Sequence, residues 1–281
     1  FAGGFNRPSQ SSGTNLNLSD NGLAFLSLQN NRAKEINARF GAANFSYSPN
    51  DKLDLSGFGI YTGNKIRLQE NSDVIYNDPE LGIPDESTQS NTTQRSDLGM
   101  LKLSAKYKPN ASNQLDYEIL GRMSQETQEQ NLFSTVIGGV AQNEETNPFS
   151  INQNLNYYYT LNEKNIFAFE AIHLIKDEDP FYNAILENDP TNNTDMPNDP
   201  YDDTAEDLGM NQDQFRYNLS QNKRVKSNQL DAKLDYWNVL NNKSNINLTV
   251  GTILSNQKFN SEIFQTLDDG TTFNNQPDIY D

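Results

Sequence analysis

The chain has 281 residues, with 38 Asp and Glu against 21 Lys and Arg, one His and no Cys. A net charge of −17 argues against nucleic acid, which needs basic stripes, and against attachment to anionic lipid through a polybasic patch. The lack of Cys removes disulfide frameworks and thiolate metal sites. A mean hydropathy of −0.80 suggests disorder by composition alone, but 13 Tyr, 15 Phe and a regular apolar pattern oppose it. No apolar stretch approaches the ~18 residues of a spanning helix, a test that a β-barrel escapes because only its alternate residues face lipid.

Residues 1–6 read as the tip of a strand. Residues 13–32, with Leu23, Phe25, Leu26 and Leu28, leave a loop, a short strand and a helix all open. Eight strands are then expected, at 33–48, 51–75, 95–108, 113–137, 148–160, 165–177, 213–238 and 244–267. Period-2 alternation carries them. In Leu101-Lys102-Leu103-Ser104-Ala105-Lys106-Tyr107 the odd positions are apolar, and Leu115-Asp116-Tyr117-Glu118-Ile119 repeats the pattern. Leu230-Asp231-Ala232-Lys233-Leu234-Asp235-Tyr236 and Ile246-Asn247-Leu248-Thr249-Val250 do so again. A closed soluble core has no partners for so many inward charges, so one face must be apolar and the other wet. Leu101, Leu103, Ala105, Leu115, Tyr117, Ile119, Leu230, Leu234, Leu248 and Val250 are expected to face lipid. Lys102, Lys106, Asp116, Glu118, Arg122, Asp231, Lys233 and Asp235 are expected to face a hydrated lumen.

Connections alternate in length. Ser48–Asp51, Lys108–Asn113, Leu161–Asn165 and Asn241–Asn245 are short and rich in Pro and Asn, which suit tight turns. Long polar loops are expected at 77–94, 138–148 and 177–212. Short turns on one side and long loops on the other are the signature of an all-β, antiparallel transmembrane barrel of a bacterial outer membrane, with the short turns periplasmic. Tyr47, Tyr107, Tyr159 and Trp237 precede the short turns and read as a periplasmic aromatic girdle, against the plainer fact that Tyr and Trp are common in strands. Both chain ends fall on the outer side, so residues 1–281 are expected to be a partial barrel domain.

The hairpins Phe40-Gly41-Ala42-Ala43-Asn44-Phe45-Ser46-Tyr47-Ser48-Pro49-Asn50 and Leu103-Ser104-Ala105-Lys106-Tyr107-Lys108-Pro109-Asn110 resemble those of TonB-dependent outer-membrane receptors. The likeness is to the type with a carboxypeptidase-like regulatory domain ahead of the plug. Leu155-Asn156-Tyr157-Tyr158-Tyr159-Thr160-Leu161-Asn162 and Asp179-Pro180-Phe181-Tyr182-Asn183-Ala184-Ile185-Leu186 extend it. The resemblance implies a barrel of about 22 strands with a plugged lumen. Energy would come from the TonB system through a plug that, with the remaining strands, lies outside this stretch.

The acidic loop from Asp177 to Asp213 contains no Lys or Arg. Its carboxylates, with Asp199, Asp202 and Asp203 as the candidates, suit Ca²⁺, which takes about 6–8 oxygen ligands. The spacing of an EF-hand is missing, and a solvated loop explains the same residues. The loop also suits contact with lipopolysaccharide through bridging cations. His173 sits on a strand with no Ser and carboxylate of a triad around it, so no enzyme, catalytic residue or cofactor is expected. The expected function is nutrient uptake by a receptor barrel in contact with outer-membrane lipid and lipopolysaccharide. The alternative is a structural or assembly-related barrel, or an inserting client, that partners other envelope proteins.

Overall fold

The computed structural model describes residues 33–75, 85–136, 138–186, 205–207, 209–212, 214–241, 243–274 and 279–280. The expectations for 1–6 and 13–32 lie outside these residues. The chain forms one antiparallel sheet. Its strands are β1 (Ala33–Asn50), β2 (Leu53–Val74), β3 (Glu86–Asn110), β4 (Asn113–Ser134), β5 (Gly138–Thr146), β6 (Phe149–Asn162), β7 (Asn165–Glu178), β8 (Phe181–Leu186), β9 (Tyr217–Asn241), β10 (Ser244–Thr266), β11 (Thr272–Phe273) and β12 (Ile279–Tyr280).

Two prolines explain why more strands appear than the sequence suggests. β4 pairs with β5 through Glu126↔Thr146 and with β6 through Met123↔Phe149, in one unbroken register. β9 likewise pairs with β8 and β7 in one register, through Phe181↔Asn222 and Glu178↔Val225. β5–β6 and β7–β8 are therefore each one long strand, interrupted at Asn147-Pro148 and Asp179-Pro180. Proline has no N–H to give the ladder. Its carbonyl still serves: Pro148 O accepts from Ser124 N at 3.0 Å, and Pro180 O from Lys223 N at 3.0 Å. Across the seam, Asn147 N donates to Asp179 Oδ1 at 3.2 Å. Joined this way, the strands form an eight-stranded up-and-down meander. β1 and β10 are its edges, with β11 and β12 covering only the end of β10 at Asn260–Thr266.

The four short turns are built alike. In each, an Asn side-chain oxygen accepts the backbone N–H two residues on: Asn50 from Lys52 (2.9 Å), Asn110 from Ser112 (3.0 Å), Asn162 from Lys164 (3.0 Å) and Asn241 from Lys243 (2.9 Å). This is the Asx turn, in which Asn acts through its side chain. The next hairpin then clasps the turn before it, through Lys108 N to Lys52 O, Thr160 N to Ser112 O and Val239 N to Lys164 O.

The far ends differ from expectation. The loop expected at 77–94 is strand from Glu86, that at 138–148 is β5, and the one at 177–212 contains the end of β7 and all of β8. From Glu86 to Gln94 both faces of β3 are polar, so no alternation marks it, whereas β8 (Phe181-Tyr182-Asn183-Ala184-Ile185-Leu186) is apolar on both faces apart from Asn183. Ladder bonds hold them, with cross-strand side-chain bonds such as Gln94 to Gln128 (2.6 Å) and Gln130 to Ser90 (3.0 Å).

Candidate functional surface: a sheet with two unlike faces

Register decides which side chains share a face, because directly paired residues do and successive residues do not. One row runs Phe45–Gly57–Leu103–Ile119–Gln153–His173–Leu230–Leu254, and another Leu53–Tyr107–Leu115–Tyr157–Phe169–Leu234–Val250. All ten residues expected to be outward lie on this apolar face. Its band covers Leu53–Tyr61 on β2, Gly99–Tyr107 on β3, Leu115–Met123 on β4, Phe149–Tyr159 on β6, Phe167–Ile175 on β7 and Ile246–Leu254 on β10. Beyond it the same face turns polar, at Asp97, Gln125, Asn147, Asp177 and Asn256. Within the band, large side chains stand open to their surroundings: Leu103 is 41% exposed, Leu248 59% and Val250 63%.

The opposite face is polar. Its rows include Asp54–Lys106–Asp116–Asn156–Glu170–Lys233 and Ser46–Ser56–Ser104–Glu118–Asn154. Lys102, Lys106, Asp116, Glu118, Arg122, Asp231, Lys233 and Asp235 are all on it. Lys102 Nζ pairs with Glu118 at 3.1 Å, and Lys233 Nζ with Glu170 at 2.9 Å and Asp235 at 3.8 Å. Ser104 also donates to Glu118 (3.4 Å), Gln114 to Asp116 (2.8 Å) and Thr249 to Asp235. The other oxygen of Asp116 and the amide oxygen of Asn152 are buried without a hydrogen-bond partner. Ile66, Leu98, Met100, Ala168, Ser96 and Asp235 are buried on this face, and Gly57, Gly63 and Ser220 on the other. This polar face is the one expected to face a lumen.

One residue of the expected girdle is misplaced. Tyr47, Tyr107 and Tyr159 lie on the apolar face, but Trp237 pairs with Ile166 and Asn247 on the polar one. Tyr236 takes its place, with Phe167 stacked between Tyr159 (6.3 Å) and Tyr236 (4.8 Å). Tyr236 also donates to Asn165 Oδ1 at 2.5 Å.

His173 sits on the apolar face inside a chain of polar contacts. Tyr117 OH donates to Gln153 Oε1 (2.7 Å), Gln153 Nε2 meets His173 Nδ1 (3.3 Å), and His173 Nε2 meets Asn228 Oδ1 (2.9 Å). With Nε2 as donor, both ring nitrogens are satisfied. The partners of the ring are amides, not a serine and a carboxylate.

Asp199, Asp202 and Asp203 lie outside the described residues. Among the described residues, no three His, Asp or Glu side chains converge as metal ligands. Where the acidic segment begins, Asp177 is instead a partner for cations. Arg224 grips it with Nε at 3.0 Å and Nη2 at 2.9 Å, and Lys226 lies at 3.5 Å. The Arg224 hydrogen bonds hold the Asp177 carboxyl below the usual carboxylate range.

No protein-family model matches the chain, and neither does any curated protein or solved structure at a significant level.

Proposed function

We propose that the chain is a segment of a transmembrane β-barrel of a bacterial outer membrane, and that it serves a TonB-dependent receptor that imports a nutrient. The apolar band carries this reading. On most strands it is nine residues long, the length a tilted strand needs to cross the hydrocarbon (about 9–11). At about 3.4 Å per residue and a tilt of about 40°, it stands roughly 20–25 Å tall, close to the lipid-facing belt of such barrels. A soluble sheet would cover so much apolar surface with a second layer. The polar face, with ion pairs and amide rows, suits a hydrated lumen or a plug. Uptake rests on the hairpin resemblance described above.

Among the described residues β1 has no partner on its outer side and β10 only at its end, which suits a barrel completed by other strands, because open edges are not tolerated in lipid. These edges favour an arc of a larger barrel, and they are the observation that keeps a structural component of an envelope complex as the second reading.

Topology tests the proposal. The chain has no Cys, so single Cys substitutions at Asp51, in a short turn, and at Asp269, in the opposite Leu267–Thr271 turn, are unique within it. In intact cells a membrane-impermeant thiol reagent should label Asp269→Cys and spare Asp51→Cys until the outer membrane is opened. Labelling of both positions in intact cells would refute the membrane-spanning reading. Loss of uptake of any candidate nutrient on deletion of TonB would separate the receptor from the structural component.

A further inference from the structure

We infer that an apolar patch on the polar face of β1–β3, around Ile36, Phe40, Ile60 and Met100, is the docking site of residues 16–28 of this chain. The inference goes beyond the uptake reading. It stands on the register of the sheet, whether or not the sheet belongs to a receptor.

The polar face is not polar throughout. On it Ile36 pairs with Ile66, and Ala42 with Ile60, which in turn pairs with Met100. Phe40 shares a row with Thr62 and Leu98. On β4 the same rows continue as Gln128, Arg122 and Ser124, so the patch ends at β3. Phe40 is 75% exposed and Ile36 46%, whereas Ile66, Leu98 and Met100 are buried. All described strands belong to one sheet, so none of them forms a second layer over the patch. Large apolar side chains grouped in the open, on a face that elsewhere carries Lys102, Glu118 and Lys233, mark a contact site.

Residues 16–28 precede β1 and lie outside the described residues. Reach, composition and elimination select them as the occupant. Ala33 opens β1, with Ile36 three and Phe40 seven residues along it. A chain spans at most about 3.3–3.6 Å per residue, so Leu28, five residues before Ala33, can fold back over Ile36, and Leu23, ten before it, over Phe40. Leu16, Leu18, Leu23, Phe25, Leu26 and Leu28 come with a single charged residue, Asp20, which suits an apolar patch. Other stretches fit poorly. Residues 187–204 carry carboxylates from Glu187 to Asp203 and no Lys or Arg, and they connect β8 to β9, beyond β4 and β5 from the patch. Residues 76–84 join the far ends of β2 and β3, and Ile60 lies 14 residues below Val74, about 48 Å at about 3.4 Å per residue, out of their reach. Seated on the patch, residues 16–28 lie across the polar face beside the edge strand β1. In a barrel that position is inside the lumen, which the segment narrows.

The test uses the full-length protein with the photo-crosslinker p-benzoylphenylalanine in place of Phe40, which keeps an aromatic ring there. After irradiation and tryptic digestion, mass spectrometry should find the peptide that begins at residue 40 joined to the peptide that ends at Arg32, within one chain. The same group in place of Gly41, on the apolar face, should not give this product. In a second measurement, Phe40→Cys is the one thiol within residues 1–281. Its reaction with a thiol reagent should quicken by at least about tenfold when Leu23→Asn and Leu26→Asn weaken the cover. No cross-link, or one from residue 40 to another part of the chain, to a second copy or to another protein, would overturn the inference. A Phe40→Cys rate unchanged by the Asn substitutions would overturn it as well. Neither result bears on the topology test above, so this inference and the membrane reading fail separately.

Discussion

Replacing Leu103 by Arg separates lipid from water around the apolar face. Leu103 is at the middle of the Gly99–Tyr107 band, directly opposite Gly57 and Ile119, and is 41% exposed. In water, a charge at an exposed strand position away from special features changes stability by about 0.5 kcal/mol or less. In lipid, Arg near the midplane costs about 2–4 kcal/mol, falling to about 0–1 kcal/mol near an interface. Leu103→Arg should therefore cost about 2–4 kcal/mol, and Tyr107→Arg, at the end of the band, much less. Lys102→Arg, one residue away on the polar face, keeps a cation near Glu118 and should be close to silent. The assay is urea titration of the full-length protein refolded in lipid vesicles, read by the gel shift between folded and heat-denatured forms. A Leu103→Arg cost within about 0.5 kcal/mol of Lys102→Arg, or no dependence on depth, would refute the reasoning.

A Cβ on Gly57 would meet Phe45 Cε1 at 2.7 Å, Lys102 O at 2.8 Å and Leu103 Cδ2 at 2.9 Å, whereas Gly41 has nothing within 4 Å. Gly57→Ala should thus cost about 1–3 kcal/mol in the same titration and Gly41→Ala almost nothing; equal costs would contradict the packing of Phe45 and Leu103 over Gly57. Because Arg224 lowers the folded-state pKa of Asp177, their pairing contributes stability above the ordinary Asp range and loses it as pH falls through the lowered value. An NMR titration of the Asp177 carboxyl carbon should show a midpoint below that of free Asp, restored by Arg224→Gln; no change on that substitution would deny the contact. Trp237, on the polar face, should be quenched by aqueous acrylamide and spared by brominated acyl chains, and exchanging Tyr236 and Trp237 should reverse this. Quenching of native Trp237 by brominated lipid would put it on the wrong face.

The sequence made the eight strands legible only where one face is apolar. Within the band, alternation such as Leu230-Asp231-Ala232-Lys233-Leu234 marks both strand and face. Beyond it, stretches such as Ser87-Thr88-Gln89-Ser90 are polar on both sides and look like loop, although the ladder extends through them. The expected strands begin at 148 and end at 177, yet both segments continue in register past Pro148 and Pro180. The placing of Trp237 was an error of parity. Alternation through Leu234 and Tyr236 already assigned the outward position to Tyr236, and nearness to the turn was the weaker guide.

The central claim is that one face of this sheet meets lipid and the other water. Spin labels placed singly at residues 99–107 of β3, in the full-length protein in bilayers, test it most directly. Accessibility to oxygen, which concentrates in lipid, should peak at Gly99, Leu101, Leu103, Ala105 and Tyr107. Accessibility to a water-soluble nickel chelate should peak at Met100, Lys102, Ser104 and Lys106. Nickel accessibility at both sets, with no period of two, would contradict the account.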